Sequence, residues 1–523
     1  MTQVNQPSVS VTRLSATAIA GLTEQKILIV GQKVAGGTAV DGELNENILN
    51  LADNDTLAGA NSIGAAMYRR ARAVNPIGQI DAIYLDDNGS AVDAEGTFTF
   101  TGAGTADGSL TFYVGSKNEH RFTIATVDLD TPASLAEVLK DAINASTTVN
   151  VLAVASIGVV TLTALNGGTI GNTIPLSFEG SAPGISVAIV AMASGAADPD
   201  LSNVLSPAIS IRYQGIIWQF EQDLTELTDF LDPRFSSTDE ILDGVGFVSI
   251  TDSLSNVLAT LGAENSASLS IHCDKILNEP TITGSAIVEI PCVKVAEFAA
   301  IRALRRTENA NIAAFVITSN GRDAIGGPAS NSKPYFNTPL PFLEVITDGF
   351  GWTRTEIEQI TAAGGWVMGN NRARNGVITG EVVTTRTTNA AGIPDNTFFF
   401  LNAVDTSSAL AEFYSNNFSA RYAQFRLVSG ALIPDRDSAN TLSIRGFSTQ
   451  LNQLAGGSDF ALTQIGDGEL NGEQVDLDKF YVDNLVVTID LSVGKTTVTM
   501  ISVIVVQART FLIPITITSS PEG

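Results

Sequence analysis

At Asp87 the hydrophobic pattern of the chain changes period, and near residue 201 it changes back. That double switch constrains the fold more than any other feature. Before it, KILIVG (26–31) is a continuous apolar run ending in Gly, as in a strand buried on both faces. Ile63, Met67 and Ala71 mark a helix through MYRRARAVN, stopped before Pro76, and DAIYLD (81–86) reads as a second strand. Strand, helix and strand with short links open a three-layer α/β unit. From residue 87 to about 200 the runs are short and alternating: TFTF (97–100), LTFYV (110–114), RFTIA (121–125), VVTLTA (159–164), IPLSF (174–178) and ISVAIV (185–190). Gly-rich turns separate them, GAGTADG (102–108) reading as a hairpin turn. One helix interrupts, with Thr131 as N-cap, Pro132 at its first position, and Leu135, Val138, Leu139, Ala142 and Ile143 on one face. The stretch is a compact β-rich domain inserted between two strands of the α/β unit, and GAADPDLSNVLSP (195–207) is its return linker.

The α/β pattern then resumes. GFVSI (246–250) is a strand, TDSLSNVLATLGAEN a helix capped by Thr251 or Asp252, and LSIHC (269–273) another strand. After Pro291 a helix with Val295, Phe298, Ile301 and Leu304 leads to AAFVITSN (313–320). A second core opens near Thr353 with the helix TEIEQITAAGG, strands over 376–388 and a helix from Val404 to about Arg426. Leu485, Val487, Ile489 and Leu491 alternate up to a turn at Gly494, and Val498, Met500, Ile504 and Val506 run back as a hairpin. The expected organisation is α/β (α+β) and multidomain. It comprises an N-terminal arm (1–22), a discontinuous α/β domain (23–88 and 201–352), the inserted domain (89–200), a C-terminal core (353–508) and a C-terminal arm (509–523). Both arms read as extended: Val9 and Val11 alternate with Ser8, Ser10 and Thr12, and Phe511, Ile513, Ile515 and Ile517 fall on one side of a strand.

Composition narrows the function classes. Hydrophobic residues make up 44% and charged residues 16% of 523, so the chain is globular with much neutral surface. The net charge of −26, from 29 Lys plus Arg against 55 Asp plus Glu, opposes wrapping of nucleic acid and docking on an anionic membrane. Cys273 and Cys292 form no CxxC pair and suit a reducing cytoplasm. The start lacks the basic and apolar regions of a leader, and Met500 to Val506 is too short to span a bilayer.

The residues that chemistry needs are not grouped. His120 and His272 lie far apart in sequence; His120 is expected at the surface and His272 as a satisfied core residue. Cys273 adjoins His272 but points to the opposite face of its strand. GQKVAGGT (31–38) follows a buried strand as a phosphate-binding loop would, yet Gly37 stands where the lysine belongs and Lys33 comes four positions early. DNDT (53–56) and DLDKFYVD (476–483) lack the ligand spacing of a calcium loop and read as solvated acidic loops. No catalytic residue, cofactor or metal ligand is expected.

The order of these pieces resembles the tail sheath proteins of Mu-like contractile-tailed phages over essentially the whole chain. KILIVGQKVAGGTA (26–39), AAMYRRARAVNPIGQIDAIYL (65–85), HRFTIATVDLDTPASLAEVLKDAIN (120–144), VTLTALNGGTIGNTIPL (160–176), FNTPLPFL (336–343) and GEVVTTRTTNAAGIPDNTFFFLNAVDTSSALAEFY (380–414) carry the resemblance. In one place it departs: AAFVITSNGRDAIGGP (313–328) stands where many sheaths carry a run such as DPARP. The resemblance implies a structural subunit of a virion tail, assembled in the host cytoplasm. Such subunits stack in six-fold rings as a helical sheath around a tail tube protein, between baseplate and terminator proteins, and contract without catalysis. It implies arms that add strands to neighbouring subunits, here through Val9, Val11, Leu14, Phe511, Ile513, Ile515 and Ile517. The receiving hairpin would present Leu485, Val487, Ile489, Val498, Met500 and Ile504. A related injection particle or bacteriocin fits the same residues. A surface adhesin, suggested by the acidity, would want repeats or calcium loops, and a nucleotide enzyme would want the missing lysine.

Overall fold

The computed structural model describes residues 25–236, 241–308, 335, 338–343, 350–370, 376–389, 391–395, 397–422, 425–432, 438–455, 467–470, 473–490, 495–506 and 509–519. These fall into two compact units, the larger holding residues 25–406, 506 and 509–511 and the smaller 407–505 and 512–519.

The larger unit is built on β1 (Lys26–Gln32). Ile27 and Ile29 enter one apolar cluster and Leu28 and Val30 another, all four fully buried, which is why the run is unbroken rather than alternating. The chain continues through β2 (Leu44–Asn45), α1 (Leu51–Ala58) and α2 (Ile63–Val74) to β3 (Gln79–Leu85), which lies parallel to β1 with Val30 beside Ile83. The Ser62 hydroxyl caps α2 by accepting from the Ala65 amide, and the helix ends at Asn75, ahead of Pro76.

The residues between β3 and the next core strand, here termed the insertion, form β4 (Glu95–Gly102), β5 (Gly108–Val114), β6 (Ser116–Thr126), α3 (Pro132–Asn144), β7 (Val151–Ser156), β8 (Val159–Ala164), β9 (Leu176–Ser181) and β10 (Ile185–Ala193). The core then resumes with β11 (Gly215–Trp218), α4 (Thr225–Phe235), β12 (Val245–Asp252), α5 (Leu254–Ala263), β13 (Leu269–Glu279), β14 (Ile282–Ser285), α6 (Pro291–Glu308), α7 (Arg354–Ala362) and β15 (Gly365–Trp366). Strands β3, β1, β11, β12, β13 and β15 are parallel neighbours in that order. Met67 and Tyr68 of α2 and Phe298 of α6 cover one face, packed in the cluster that holds Ile27 and Ile29. Leu227 and Leu231 of α4 with Val257 and Leu261 of α5 cover the other. The fold is mixed α/β with a three-layer core.

Strand β13 has two memberships. Its first half pairs with β12 (Val248 beside Ile271), and its second half turns into an antiparallel hairpin with β14 (Ile276 beside Ser285). Through β14 the ladder passes to β9, β5 and β6 of the insertion. The other insertion strands form a separate antiparallel sheet in the order β10, β4, β8, β7. Phe112 of the first sheet sits between Phe98 (5.0 Å between ring centroids), Phe100 (5.5 Å) and Phe178 (5.9 Å), so aromatic packing joins the two sheets. Helix α3 is capped as the sequence indicates, Thr131 Oγ1 accepting from the Ser134 amide, and buries Leu135, Leu139 and Ile143.

Several local expectations are corrected. GAGTADG is not a hairpin turn: it carries the chain from β4 to β5, which belong to different sheets. The crossing begins at Gly102 (φ 88°), where a Cβ would lie 2.1 Å from the Gly184 carbonyl oxygen, so only glycine fits. The cap of α5 is Ser253, because Thr251 and Asp252 still belong to β12. Residues 376–388 form only a short strand (Gly376–Ile378) and single bridges. There the Thr384 hydroxyl donates to the Phe398 carbonyl (2.7 Å) and the Thr385 hydroxyl to that of Ser266 (3.2 Å), anchoring the backbone outside a ladder. Strand β7 had no distinct signal in the sequence. The expected strand 313–320 lies outside the described residues.

In the smaller unit, the helices Thr441–Ala455 and Leu477–Asp483 precede a three-stranded sheet of Val486–Asp490, Lys495–Val506 and Arg509–Ser519, in that order. Tyr414 donates to Asn452 (2.7 Å), and Phe447 packs edge-on against Phe418 and Tyr422.

Candidate functional site

From β1 the chain runs first to β3 on one side and then, through the insertion, to β11 on the other. In open parallel sheets the crevice at the carboxyl ends of two such strands is where ligands bind. Here that place is bounded by Gln32, Lys33, Gln219 and the first turn of α2, and the protein fills it with its own groups. The buried Asn166, on the loop after β8, accepts from the Ile63 amide (2.9 Å) and donates to the Lys33 carbonyl (2.9 Å). The Gln32 amide donates to Gln219 Oε1 (2.7 Å), and Gln32 Nε2 to Asp87 Oδ1 (2.7 Å) and the Gly167 carbonyl (2.8 Å). Asp87 in turn accepts from the Gly167 amide (2.9 Å). The helix start that would hold an anion is thus satisfied by Ser62 and Asn166.

The loop at residues 31–38 is equally committed. Its amides donate to carbonyl oxygens: Lys33 to Leu85, Val34 to Ala58, Gly37 to Val34 and Thr38 to Thr56, at 2.8–3.0 Å. The Lys33 ammonium pairs with Asp86. A phosphate cradle needs these donors to converge on empty space, and they do not.

His120 is buried, not superficial, with Nδ1 3.2 Å from the Val114 carbonyl and Nε2 3.3 Å from Thr148 Oγ1. His272 is a core residue: Nδ1 is 2.8 Å from Ser249 Oγ, Nε2 accepts from the Met368 amide (3.3 Å), and burial lowers its pKa to about 3. Cys273 packs in the cluster on the opposite face of the sheet, and burial raises its pKa. Residues 53–56 lie in α1, and 477–483 are helical with Lys479 paired to Asp483 (2.5 Å), so neither is an acidic loop. Among the described residues no group of three acidic, His or Cys side chains could hold a metal, and no helix is long and apolar enough to cross a membrane.

Sequence reading could not pair the buried charges. Arg302 of α6 donates to Asp405, which also accepts from the Tyr335 hydroxyl (2.5 Å). Lys294 donates to Asp274 and to Ser285 Oγ (2.6 Å). Glu221, just beyond β11, has Oε2 out of solvent without a hydrogen-bond partner, and burial raises its pKa to about 7.

Of the expected assembly residues, Val9, Val11 and Leu14 lie outside the described residues. Leu485 immediately precedes the strand Val486–Asp490, and Val487 and Ile489 lie within it, with Val487 directly opposite Val498 and Asp490 opposite Lys495. Met500 and Ile504 continue the strand Lys495–Val506. Phe511, Ile513, Ile515 and Ile517 lie in Arg509–Ser519, the third strand beside it.

No family model matches the chain. Over 182 residues it is 31% identical to the Mu-like prophage FluMu tail sheath protein of Haemophilus influenzae, covering 34% of this chain and 37% of that relative. Sheath tail proteins from Desulfitobacterium hafniense and Listeria innocua have similar solved structures. The first covers 99% of both chains at 10% identity, the second 97% of this chain and 98% of its own at 11%, each with a TM-score of 0.46. The curated relative carries the name of the family that the sequence resembles.

Two outcomes follow, one from the filled crevice and one from the buried Glu221. Asn166→Ala leaves the Ile63 amide and the Lys33 carbonyl unpaired and should cost about 2–6 kcal/mol, at about 1–3 for each buried group, read as a lowered denaturation midpoint. The raised pKa of Glu221 makes its contribution to stability full below about pH 4.5 and lost as pH rises through 7. Melting temperature should therefore fall over that window in the natural protein, and less in Glu221→Gln.

Proposed function

We propose that this chain is a structural subunit of a contractile phage tail sheath, non-catalytic, polymerising around a tail tube in stacked six-fold rings. The observation that carries the reading is the 31% identity over 182 residues to a tail sheath protein. A filled ligand crevice and a loop whose Lys33, Val34, Gly37 and Thr38 amides are committed support it, because they leave a nucleotide enzyme without its phosphate site. In this reading subunits join by strand exchange. The N-terminal arm (Val9, Val11, Leu14) and the C-terminal arm (Phe511, Ile513, Ile515, Ile517) meet the hairpin of a neighbour, and stored assembly energy drives the tube through the host envelope. The place of Arg509–Ser519 at the margin of its sheet suits this, since among the described residues its outer edge has no partner strand, and a free edge invites another chain. Tube, baseplate and terminator proteins are the partners, the virion tail is the location, and assembly takes place in the host cytoplasm. A related injection particle or bacteriocin would use the same parts.

Truncation after Ala508 should give a folded protein that no longer forms tubes, by thermal melting and electron microscopy together. Ile515→Pro should act similarly, since proline cannot donate a ladder hydrogen bond. Normal tubes from the folded truncation would end the strand-exchange reading, and an unfolded one would mean that the strand serves its own subunit.

The insertion is proposed to face outward from the polymer. Ile157, in the turn between β7 and β8, is 94% exposed. A short peptide tag placed after it should leave tube formation intact and be reachable by antibody on the tubes. Tubes whose tags are hidden, or a folded tagged protein that makes no tubes, would overturn that placement.

A further inference from the structure

Arg70 lies on α2 with its side chain entirely out of solvent, and three carboxylates from three other places in the chain converge on it. Nη2 donates to Glu119 of β6 (3.0 Å) and to Glu289, and Nη1 donates to Glu297 of α6 (3.1 Å). The side chains of Glu289 and Glu297 are as buried as the arginine, while Glu119 is about one-third exposed. Hydrogen bonds fix the group from outside. Ser116 Oγ of β6 donates to Glu289 (3.0 Å) and accepts from the Glu119 amide (3.2 Å), and the Phe342 amide donates to Glu297 (3.0 Å).

Charge counting makes the cluster unusual. One guanidinium faces three carboxylates, a formal −2 inside the protein. The surrounding groups do not cancel it. Arg69 pairs with Asp55 (3.3 Å) and, of the three carboxylates, its attraction reaches only the partly exposed Glu119, and burial keeps His120 below its ordinary pKa, hence neutral. Cys292, buried beside Glu289, is held as the thiol. With Glu119 partly in solvent, the two fully buried carboxylates still exceed the one guanidinium by a charge, and leaving that charge out of water costs more than binding a proton. Burial raises the pKa of both Glu289 and Glu297, against the attraction of Arg70, and the pair titrates as one system.

We propose that Arg70, Glu119, Glu289 and Glu297 form a clasp that holds one proton at neutral pH, on the Glu289–Glu297 pair, and that losing this proton loosens the root of the insertion. At the clasp β6, an insertion strand, is tied by ions to the helices of the core, beside a single backbone bond from the Lys117 amide to the Val288 carbonyl (2.9 Å). Without the proton, Glu289 and Glu297 repel across Arg70, and the strand held through Ser116 and Glu119 is released first, because it lies nearest to solvent. The proposal does not depend on the sheath reading.

The test is hydrogen–deuterium exchange between pH 6 and 9, corrected for the intrinsic pH dependence of amide exchange. It is run on the full chain in the Glu221→Gln background, so that Glu221 does not titrate in the same range. Protection of residues 116–126 should fall about tenfold across the window, while β1 and β12 keep theirs. Glu297→Gln should flatten that fall. Glu119→Gln, on a partly exposed side chain, should move it to lower pH, because removing one repelling charge lets the pair lose its proton more easily. Protection that does not change with pH, or a fall equal in all three proteins, would overturn the clasp. If Glu297→Gln fails to fold, Glu119→Gln alone decides the matter.

Discussion

One carboxamide decides what the core of this protein can be. Asn166 reaches from the insertion to the first amide of α2 and the last carbonyl region of β1, at the place where a parallel sheet of this strand order would otherwise open to a ligand. With Gln32, Gln219 and Asp87 it converts a crevice into a packed polar joint. Every donor and acceptor there that has been named is answered by another part of the same chain, so the joint is a device for holding two parts of the protein together. The insertion is consequently not a decoration at two adjacent chain ends. It completes the core from which it departs.

The same logic runs through the buried charges. Arg70, Lys294 and Arg302 are each more than nine-tenths buried, and each finds carboxylates far away in sequence. Such pairs add little net stability over apolar packing, but removing one partner is costly, so they penalise wrong arrangements more than they reward the right one. All three lie along α2 and α6, the layer that packs beside the insertion. That layer is therefore specified by ion pairs, whereas the opposite one, with α4 and α5, is specified by Leu and Val packing.

Much of this was legible in the sequence. The unbroken run at β1, the capped α3 and the switch of period at residue 87 all follow from local rules, because each is fixed by neighbours within a few residues. What escaped depended on distance. His120 looked superficial because it opens an alternating strand, yet Val114 and Thr148 enclose it. The stretch 376–388, rich in β-formers, is held out of a ladder by Thr384 and Thr385, whose partners at 398 and 266 no local pattern announces. The closure of the crevice hung on an asparagine 133 residues from Lys33. Its Asn-Gly pair reads in sequence as a turn and nothing more. The loop at 31–38 was readable in the negative, from the missing lysine, and the commitment of its amides gives the physical reason.

Strand β13 belongs to two ladders, parallel along its first half and antiparallel along its second, and this makes it a load path. A tug on the insertion reaches β9, then β14, then the second half of β13, whose first half is hydrogen-bonded to β12 of the core. Forces directed along that strand are borne by many backbone bonds at once, in shear. Forces directed across it meet them one at a time, as in unzipping. The insertion is thus stiff in one direction and peelable in the other, an anisotropy set by nothing more than where a single strand changes partners.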